Sequence, residues 1–350
     1  MWQYQNANQL SPRVSVTYQP YNNTTFHAGY ARYFTPPVQV IAAPTNTGLF
    51  TSCPGIPNCT TIQAPSVPPP YYPMLPERAN VYDIGVVQKV LPGLEVGLDT
   101  YLKTARDLID DGQFGAAYVL NGFNYDRAIN AGVELKAAYR NGNFQAYANW
   151  AWATQRANLR VSNQYLFDPA GNAFTANNWI YTDHTQVWTG SGGVSYLWKG
   201  TRLSADVIYG SGLRAGFENT DHNAPYAQVN TGISHEYFIP GWTPLTLRFD
   251  IINVFDVSYA IRNGTGVGVF APQFGPRRGF YFGLAQKFGP GANKPPKVAP
   301  VHTWLASPFR AIWTWTGFYV GGNVGYSVSR FGNDTTYSDA SLGTPLAAQS

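Results

Sequence analysis

Charge and long apolar runs are both scarce in this sequence of 350 residues. Charged residues make up 12% of the chain, which is about half of what a soluble domain usually carries. No run reaches the roughly 18 apolar residues that a membrane-spanning helix needs, and the mean hydropathy is −0.22. The net charge of +4 is too small and too scattered to indicate nucleic-acid binding. These scarcities argue against a helical membrane protein, a nucleic-acid-binding protein and an ordinary soluble domain.

Motifs of catalysis and cofactor binding are also missing. The sequence contains no G-x-S-x-G, no P-loop and no paired-glycine dinucleotide motif. Asp110 and Asp111 beside Asp107 suggest either a cation site in a loop or, more simply, a solvated acidic cluster. The pairs Asp183–His184 and Asp221–His222 lack a nucleophile placed by a motif, so we interpret them as polar loop residues. The absence of these motifs predicts that the chain is not an enzyme and binds no cofactor. No metal site is expected either, because the five histidines lack the spacing of zinc ligands; they lie at positions 27, 184, 222, 235 and 302.

Cysteine occurs only twice, as Cys53 and Cys59. Both residues lie in a stretch rich in Pro, Asn and Thr, where a short separation in a loop allows a small disulfide. Such a bond forms in an oxidising compartment. The alternative is a pair of free or metal-binding thiols, but no nearby histidine or second cysteine pair supports a metal. We therefore predict a disulfide between Cys53 and Cys59.

Apolar and polar residues alternate repeatedly from Arg13 to Phe288. Residues 94–99, 129–136 and 245–251 each place apolar side chains at every second position. This period of two puts one set of side chains on each face of a strand. A soluble β-sandwich has the same local pattern, with its apolar face on a core. Strand length and the rhythm of the connections distinguish the two architectures.

The predicted strands are long, at about 10 to 16 residues, whereas soluble strands average about 5 or 6. A membrane strand needs about 9 to 11 residues to cross the bilayer. This length favours a membrane barrel. Eleven such strands are predicted: Ser11–Gln19, Thr24–Phe34, Ala79–Val90, Gly93–Ala105, Phe123–Arg140, Asn143–Arg156, Asp183–Lys199, Thr201–Ser211, Ala224–Ile239, Thr243–Val254 and Arg278–Phe288.

The connections between these strands alternate strictly between short and long. The short ones contain the Gly, Pro and Asn of tight hairpins: 20–23, 91–92, 141–142, 199–200 and 240–242. The long ones are 35–78, 106–122, 157–182, 212–223 and 255–277. Outer-membrane barrels have short periplasmic turns and long extracellular loops. The sequence therefore predicts an all-β, antiparallel transmembrane β-barrel wall of about 11 strands.

Aromatic residues make up 15% of the chain and gather near the predicted strand ends. There they would form the girdles at both membrane interfaces: Tyr18, Tyr33, Phe34, Tyr101, Tyr139, Trp150, Trp152, Trp188, Tyr196, Trp198, Tyr237 and Trp242. A second set lies in or beside the long connections and either stacks on a ligand or, more simply for any one residue, packs the loops together: Phe114, Tyr118, Phe123, Tyr165, Phe167, Phe174, Trp179 and Phe270.

Three stretches between about Leu10 and Phe288 resemble the barrel of TonB-dependent receptors. Leu10–Pro20, followed by Phe26–Phe34, resembles a strand pair from the middle of that barrel. Residues 91–109 resemble a hairpin of these receptors. Asp250–Asp256, with the sequence Asp-Ile-Ile-Asn-Val-Phe-Asp, is similar to the family's Asn-[Leu/Val]-Phe-Asp motif before the last loop.

This resemblance implies a barrel of about 22 strands that holds an N-terminal plug. The eleven predicted strands would correspond to its C-terminal half. The intact receptor would import a scarce ligand such as a ferric siderophore, haem or a vitamin, with energy from the TonB energy-coupling protein. Which residues would bind the ligand stays open.

The last predicted strand ends at Phe288, which looks like the terminal aromatic signal read by the barrel assembly machinery. Gln286 departs from the apolar residue that is usual near this end. The resemblance places the protein in the cell outer membrane, where lipid and lipopolysaccharide would surround the barrel. Nucleic acid is not an expected partner.

The composition changes after Phe288. Residues 289–312 form a linker rich in Pro, Gly and Lys. Trp313–Ser327 then resembles the first strand of the small, eight-stranded opacity-type outer-membrane porins. We predict three parts: a receptor-like barrel half without a plug at 1–288, the linker at 289–312, and the first strand and loop start of a second barrel at 313–350.

The predicted topology leaves three hypotheses. The first strand runs inward, so Met1 would lie outside the cell, and Met1–Tyr4 has no signal-peptide features. The strand count before Phe288 is odd, whereas such barrels usually have an even number. Our leading hypothesis is a barrel half that does not transport alone. The alternatives are a passive pore of about 12 strands closed by Trp313–Ser327, and a non-functional product of gene decay or split assembly.

Overall fold

The computed structural model describes residues 9–36, 74–113, 120–239, 243–267, 272–286, 335–338 and 345–349. The chain divides into two compact units, Met1–Val301 and His302–Ser350. In the second unit, Thr335–Ser338 and Pro345–Gln349 form an antiparallel pair. None of the helices in the described ranges is both long and apolar enough to span a membrane.

The first unit contains one large antiparallel sheet whose eleven main strands follow the order of the sequence. Adjacent strands in the chain are adjacent in the sheet, so the path contains no crossover. A short strand, Ile180–Tyr181, pairs in addition with β6. The all-β antiparallel fold is thereby confirmed. The bounds are β1 Arg13–Tyr21, β2 Thr24–Thr35, β3 Glu77–Leu91, β4 Leu94–Gln113, β5 Leu120–Asn141, β6 Phe144–Arg160, β7 Trp188–Trp198, β8 Thr201–Gly210, β9 Tyr226–Tyr237, β10 Leu245–Ile252 and β11 Gly279–Gln286.

Two-residue turns join four of the hairpins, at residues 22–23, 92–93, 142–143 and 199–200. Gly93 shows why turn chemistry matters, because its φ of +84° lies in the left-handed region. A Cβ at this position would lie 2.0 Å from the carbonyl oxygen of Arg140 on the neighbouring strand. Only glycine therefore allows this turn to pack beside β5.

The predicted loop 106–122 is wrong at both ends. β4 continues to Gln113 and β5 begins at Leu120, with an unbroken register between them. Leu108, Phe123 and Tyr125 are buried in this extension. Their burial depends on other loops that pack against them, which the local alternation of the sequence does not reveal. The α-helix Pro169–Asn177 was likewise missing from the prediction.

The sheet has one apolar face and one polar face. Directly opposed residues on neighbouring strands share a face. One row of successive partners across β2 to β6 is apolar, and all of its members except Val86 are exposed: Phe26, Val86, Leu98, Leu135 and Trp150. A β-sandwich would bury this face, so its exposure favours a barrel wall over the soluble alternative. It is the face that meets lipid in a transmembrane barrel.

The next row of partners lies on the opposite face and is polar. It contains His27, Gly85, Asp99 and Glu134 on β2 to β5. This face would line the barrel interior. The sheet does not close on itself within the described residues, because β1 and β11 form its two edges.

Buried side chains gather at the end of the sheet where the long connections lie. A sheet with lipid on one face and an open interior on the other has little core of its own. The main buried apolar cluster accordingly combines strand ends and connections: Ala79, Ala105, Leu108, Phe123, Tyr125, Ala128, Ala157, Leu166, Ile180 and Val267.

Candidate functional site

Three long connections fold together at one end of the sheet. We call their described residues the loop cap: 161–187, 211–225, 253–267 and 272–278. The first connection contains the helix Pro169–Asn177, which begins with Pro169 after the N-cap Asp168. The Asp168 carboxylate accepts a hydrogen bond of 2.6 Å from the amide of Gly171. Sequence-local capping thus determines where this helix begins, and tertiary contacts hold it in the cap.

A buried ion pair links the first two connections. The guanidinium of Arg160, at the end of β6, pairs with the carboxylate of Glu218, and their side chains are 0% and 7% exposed. The same guanidinium stacks on Phe167, with Cζ 3.7 Å from the ring centroid. Phe167 packs edge-on against Phe123, with 4.7 Å between ring centroids. Arginine can pair and stack at once because its guanidinium is planar.

A second charged group links the first and third connections. The guanidinium of Arg262 pairs with the buried carboxylate of Asp183, and its Nη2 lies 2.6 Å from Nε2 of His184. Burial raises the pKa of the Asp183 carboxyl, and the charge of Arg262 opposes that shift. The polar pair identified in the sequence at 183–184 therefore holds two loops together through a distant arginine.

Two asparagines complete the links among the three connections. The side chain of Asn219 donates to the carbonyl of Tyr181 and accepts from the amide of Val267, both at 2.9 Å. The side chain of Asn223 donates to the carbonyl of Ile261 at 3.0 Å. Each of the three connections is thus bonded to the other two, and the loop cap is a single folded layer.

Asn124 fastens the cap to the strand ends below it. Its side chain donates to the carbonyls of Leu75 and Asp107 at 2.9 and 2.8 Å and accepts from the amide of Leu75 at 2.8 Å. It also accepts from the hydroxyl of Ser162 at 2.7 Å. Asn124 is fully buried. One side chain therefore satisfies polar groups from three separate segments.

The Asn-Val-Phe-Asp motif forms the base of the last connection. The Asn253 side chain donates to the carbonyls of Val257 and Pro276 at 2.9 and 2.8 Å and accepts from the Val257 amide at 2.9 Å. Asp256 accepts from Nε of Arg277 at 2.8 Å and from the amide of Arg278 at 2.9 Å. These hydrogen bonds, above all those from Arg277, lower the pKa of the Asp256 carboxyl. The motif therefore brings the start and the end of this loop together.

The polar face carries a charge network across β2 to β5. His27 Nε2 lies 3.1 Å from a carboxylate oxygen of Asp99. The ammonium of Lys136 lies 3.3 Å from Asp99 and 3.0 Å from Glu134. Gly85 separates His27 from Asp99, and a Cβ there would lie 2.3 Å from both side chains. The missing side chain at Gly85 thus lets the network cross β3, and the network gives this face of the wall a charged surface.

The structure resolves the two roles considered for the loop aromatics at three positions. Phe123 is fully buried, Phe167 stacks on Arg160, and Phe174 packs edge-on against Phe217 at 5.4 Å between centroids. All three pack the cap. Trp179 is 43% exposed and is available to solvent. The remaining members lie outside the described residues or have undescribed side chains: Phe114, Tyr118, Tyr165 and Phe270.

Several predicted sites fall elsewhere. Cys53, Cys59 and Phe288 lie outside the described residues, so the disulfide and the assembly signal stay predictions. The prediction placed Asp110 and Asp111 in a loop, but the structure places both residues in β4. Within the ranges that the structure covers, His, Cys, Asp and Glu form no group of three suited to a metal ion. The link between Arg160 and Glu218 was missed, because nothing in the sequence pairs two residues 58 positions apart.

Comparisons with known proteins place this architecture in a family. The family model described as TonB dependent receptor-like, beta-barrel, matches residues 3–254. A search of curated proteins finds no match. Among solved structures, the FrpB iron transporter from Neisseria meningitidis is similar, with 16% identity and a TM-score of 0.51, covering 79% of this chain and 39% of that chain.

Two further structures have the same fold. The copper transporter OprC has 15% identity and a TM-score of 0.54, covering 78% of this chain and 39% of its own. The ferric-catecholate import receptor Fiu from E. coli K12 has 14% identity and a TM-score of 0.50, covering 77% of this chain and 34% of its own. This chain thus spans between one third and two fifths of their length. The family match covers more than half of the chain, and the chain belongs to the TonB-dependent receptors, an outer-membrane family of receptors and transporters, through their β-barrel domain.

Proposed function

We propose that this chain forms the C-terminal half of the barrel wall of a TonB-dependent transporter. The complete transporter would import a scarce ligand of the ferric siderophore, haem or vitamin class, with energy supplied by TonB. The observation that carries the proposal is the two-faced sheet of eleven strands with the folded cap at one end. The names of FrpB, an iron transporter, and Fiu, a ferric-catecholate import receptor, favour an iron chelate within that class.

The two edges of the sheet support a further wall segment. β1 leads into a short turn and β11 follows a long connection, so both run from the loop side to the turn side. Two edges that run the same way cannot pair antiparallel with each other, nor with a second copy of the sheet that lies in the membrane in the same orientation. A further segment with an odd number of strands closes the barrel with two antiparallel seams. Closure matters because unpaired backbone groups in lipid cost several kcal/mol each.

The topology is tested by labelling single cysteines from outside the cell. Trp179→Cys reports on the loop cap and Asn22→Cys on a short turn, each in a Cys53→Ser/Cys59→Ser background, fused to an export signal and produced together with the plug and the remaining wall. We expect a membrane-impermeant maleimide to label position 179 in intact cells. Position 22 should react only after the outer membrane is permeabilised. Labelling of position 22 in intact cells would reverse the proposed orientation.

Transport is tested separately. We expect the chain alone, inserted into liposomes, to accumulate none of a panel of ferric siderophores, haem and cobalamin. Cells that contain the plug, the remaining wall and energised TonB should concentrate one of them. Concentrative uptake by the chain alone would contradict a half wall. A steady single-channel conductance that disappears when residues 313–350 are deleted would favour the twelve-stranded pore.

The C-terminal part of the chain belongs to this proposal as a separate element. We propose that residues 289–312 link the wall to a segment at 313–350 that begins a second, opacity-type barrel. The support is the sequence of Trp313–Ser327, which lies outside the described residues. Deletion of residues 302–350 should then leave the labelling at position 179 unchanged.

A further inference from the structure

A chain of side-chain hydrogen bonds connects the wall to the last connection of the loop cap. Asp206 on β8 and Asn230 on β9 are directly opposed, and Nδ2 of Asn230 donates to Oδ2 of Asp206 at 2.7 Å. Two residues nearer the cap, Nε2 of Gln228 donates to Oδ1 of Asn230 at 2.8 Å. The hydroxyl of Tyr259, in the last connection, donates to Oε1 of Gln228 at 3.0 Å. We call these four residues the amide relay.

The register places the lower end of the relay on the polar face of the sheet. Successive partners of Glu134, a member of that face, are Ala151, Thr189 and Gly210 on β6 to β8. Asp206 lies four residues from Gly210 in the same strand, and residues two or four apart in a strand share a face. In the barrel proposed above, Asp206 therefore faces the interior.

The carboxylate of Asp206 determines which way each amide of the relay points. An ionised carboxylate only accepts hydrogen bonds, so Asn230 turns its NH2 group toward Asp206. The oxygen of Asn230 then accepts from Gln228 and, at 2.9 Å, from the backbone amide of Asn253. The NH2 group of Gln228 is thereby used, and its oxygen accepts from the hydroxyl of Tyr259. Turning over either amide would place two acceptors face to face.

The upper end of the relay is buried, so water does not readily replace its bonds. Gln228 is 4% exposed, Tyr259 is 9% exposed and Asn253 is fully buried. A buried polar group that loses its partner costs more free energy than an exposed one. A change in the orientation of Asn230 is therefore expected to reach Tyr259.

Tyr259 joins the two limbs of the last connection. Its ring stacks on Tyr226 of β9, with 4.1 Å between centroids and 8° between the ring planes. The same ring covers Gly275 in the returning limb, where there is no room for a Cβ, and the Gly275 amide donates to the Tyr259 carbonyl at 3.0 Å. Tyr226 lies four residues from Asn230, so the relay extends about 14 Å along the strand. The position of Tyr259 thus affects how the start and the end of this loop meet.

We propose that Asp206 positions the last connection of the loop cap through the amide relay, so that a change of charge on the interior wall is transmitted to the outer surface. Neutralising or removing the carboxylate frees Asn230 to turn over. Gln228 and the amide of Asn253 then lose their acceptor, and Tyr259 loses its anchor. The proposal rests on the barrel wall proposed above for the interior position of Asp206, but it does not depend on the identity of the transported ligand.

The test is hydrogen exchange of the full chain, produced together with the plug and the remaining wall and purified in detergent. Two amides report on the relay: that of Asn253, which is bonded to Asn230, and that of Gly275 at the far end. We expect Asp206→Leu to speed the exchange of both about ten- to a hundredfold, the scale of one hydrogen bond to a charged group. Asp206→Asn keeps an accepting oxygen and should have a smaller effect. The matched control is Glu236→Leu, which removes another half-buried carboxylate from the same face outside the relay and should change neither amide.

A double-variant cycle distinguishes the relay from independent effects of its two ends. Tyr259→Phe removes only the hydroxyl that donates to Gln228, and it should also speed exchange at Gly275. If the relay connects the two ends, Asp206→Leu/Tyr259→Phe should exchange no faster than the faster single variant, because the chain is already broken. Effects that multiply would overturn the proposal. So would unchanged exchange at Gly275 in Asp206→Leu, since the effect of Asp206 would then be local.

Formation of the wall is checked by the protection of amides within residues 201–210 and 245–252. We expect equal protection there in the original chain and in all variants. If Asp206→Leu lowers this protection, the near-isosteric Asp206→Asn replaces it in the cycle with Tyr259→Phe. Absence of protection in the original chain would contradict the barrel wall itself, and with it the interior position of Asp206. Intact wall protection with unchanged exchange at Gly275 would overturn the relay alone.

Discussion

Replacing Arg160 with methionine is expected to destabilise the loop cap by about 3–5 kcal/mol, the usual cost of breaking a buried ion pair. The substitution leaves the Glu218 carboxylate without its counter-charge at a site where it is only 7% exposed. It also removes the guanidinium that stacks on Phe167. The loss should be local, because Arg160 joins the end of β6 to two of the three connections.

Native-state hydrogen exchange of amides in residues 161–182 measures this effect. We expect exchange about two to four orders of magnitude faster, since 1.36 kcal/mol corresponds to a factor of ten. The double variant Arg160→Met/Glu218→Leu should recover part of the loss, because no unpaired charge stays buried. Arg277→Met, which breaks an exposed pair with Asp256, is the matched control and should change exchange little. Unchanged exchange in Arg160→Met would show that the pair does not hold the cap.

Replacing Asn253 with alanine is expected to open the base of the last connection. The side chain of Asn253 makes three hydrogen bonds and is fully buried. Without it, two carbonyls and one amide lose their partner, at about 1–3 kcal/mol for a buried group. The φ of Asn253 is +53°, a conformation that asparagine tolerates better than alanine does. We therefore expect a total loss of about 3–5 kcal/mol.

The readouts are hydrogen exchange at the amides of Val257 and Arg278, and protease cleavage within 254–278. Asn263→Ala is the matched control, since its side chain accepts bonds from Thr265 within the same loop but is exposed. It should leave both readouts nearly unchanged. Equal protection in Asn253→Ala and in the original chain would mean that the motif does not close the loop.

These two predictions bear on how a receptor of this type presents its outer surface. Arg160, Asn219 and Arg262 bind the three connections to one another. Loops linked in this way move together or not at all, because one of them cannot swing away without unpairing buried polar groups in the others. A ligand that contacts one connection is therefore expected to act on the whole cap.

The fold was largely readable from the sequence for a simple reason. In a barrel wall, each residue faces either lipid or the interior, so its environment depends only on its position in the strand. Leu94, Val96 and Leu98 alternate with Glu95, Gly97 and Asp99, and the structure places the two sets on opposite faces. Turn glycines such as Gly93 are also local signals, because the turn needs a positive φ at that position and glycine adopts it without strain.

The loop cap was not readable in the same way. Phe123 and Tyr125 continue a strand pattern, yet both are buried under connections that lie far away in the sequence. The direct opposition of Arg78, Arg106 and Arg127 on β3 to β5 was missed as well, since these residues become neighbours only through the pairing register. No local period marks either feature.

The sequence by itself therefore determined the strands, their two faces, the rhythm of turns and connections, and the resemblance to TonB-dependent receptors. Each of these depends on interactions of a residue with lipid, with water or with its immediate neighbours. Only the tertiary structure decided how far β4 and β5 extend, which polar groups hold the cap together, and which charges meet on the lipid-facing side. Those outcomes depend on contacts between residues that are distant in the sequence, such as Arg160 and Glu218, 58 positions apart. Such a contact contributes to stability only after the sheet has brought its two residues together.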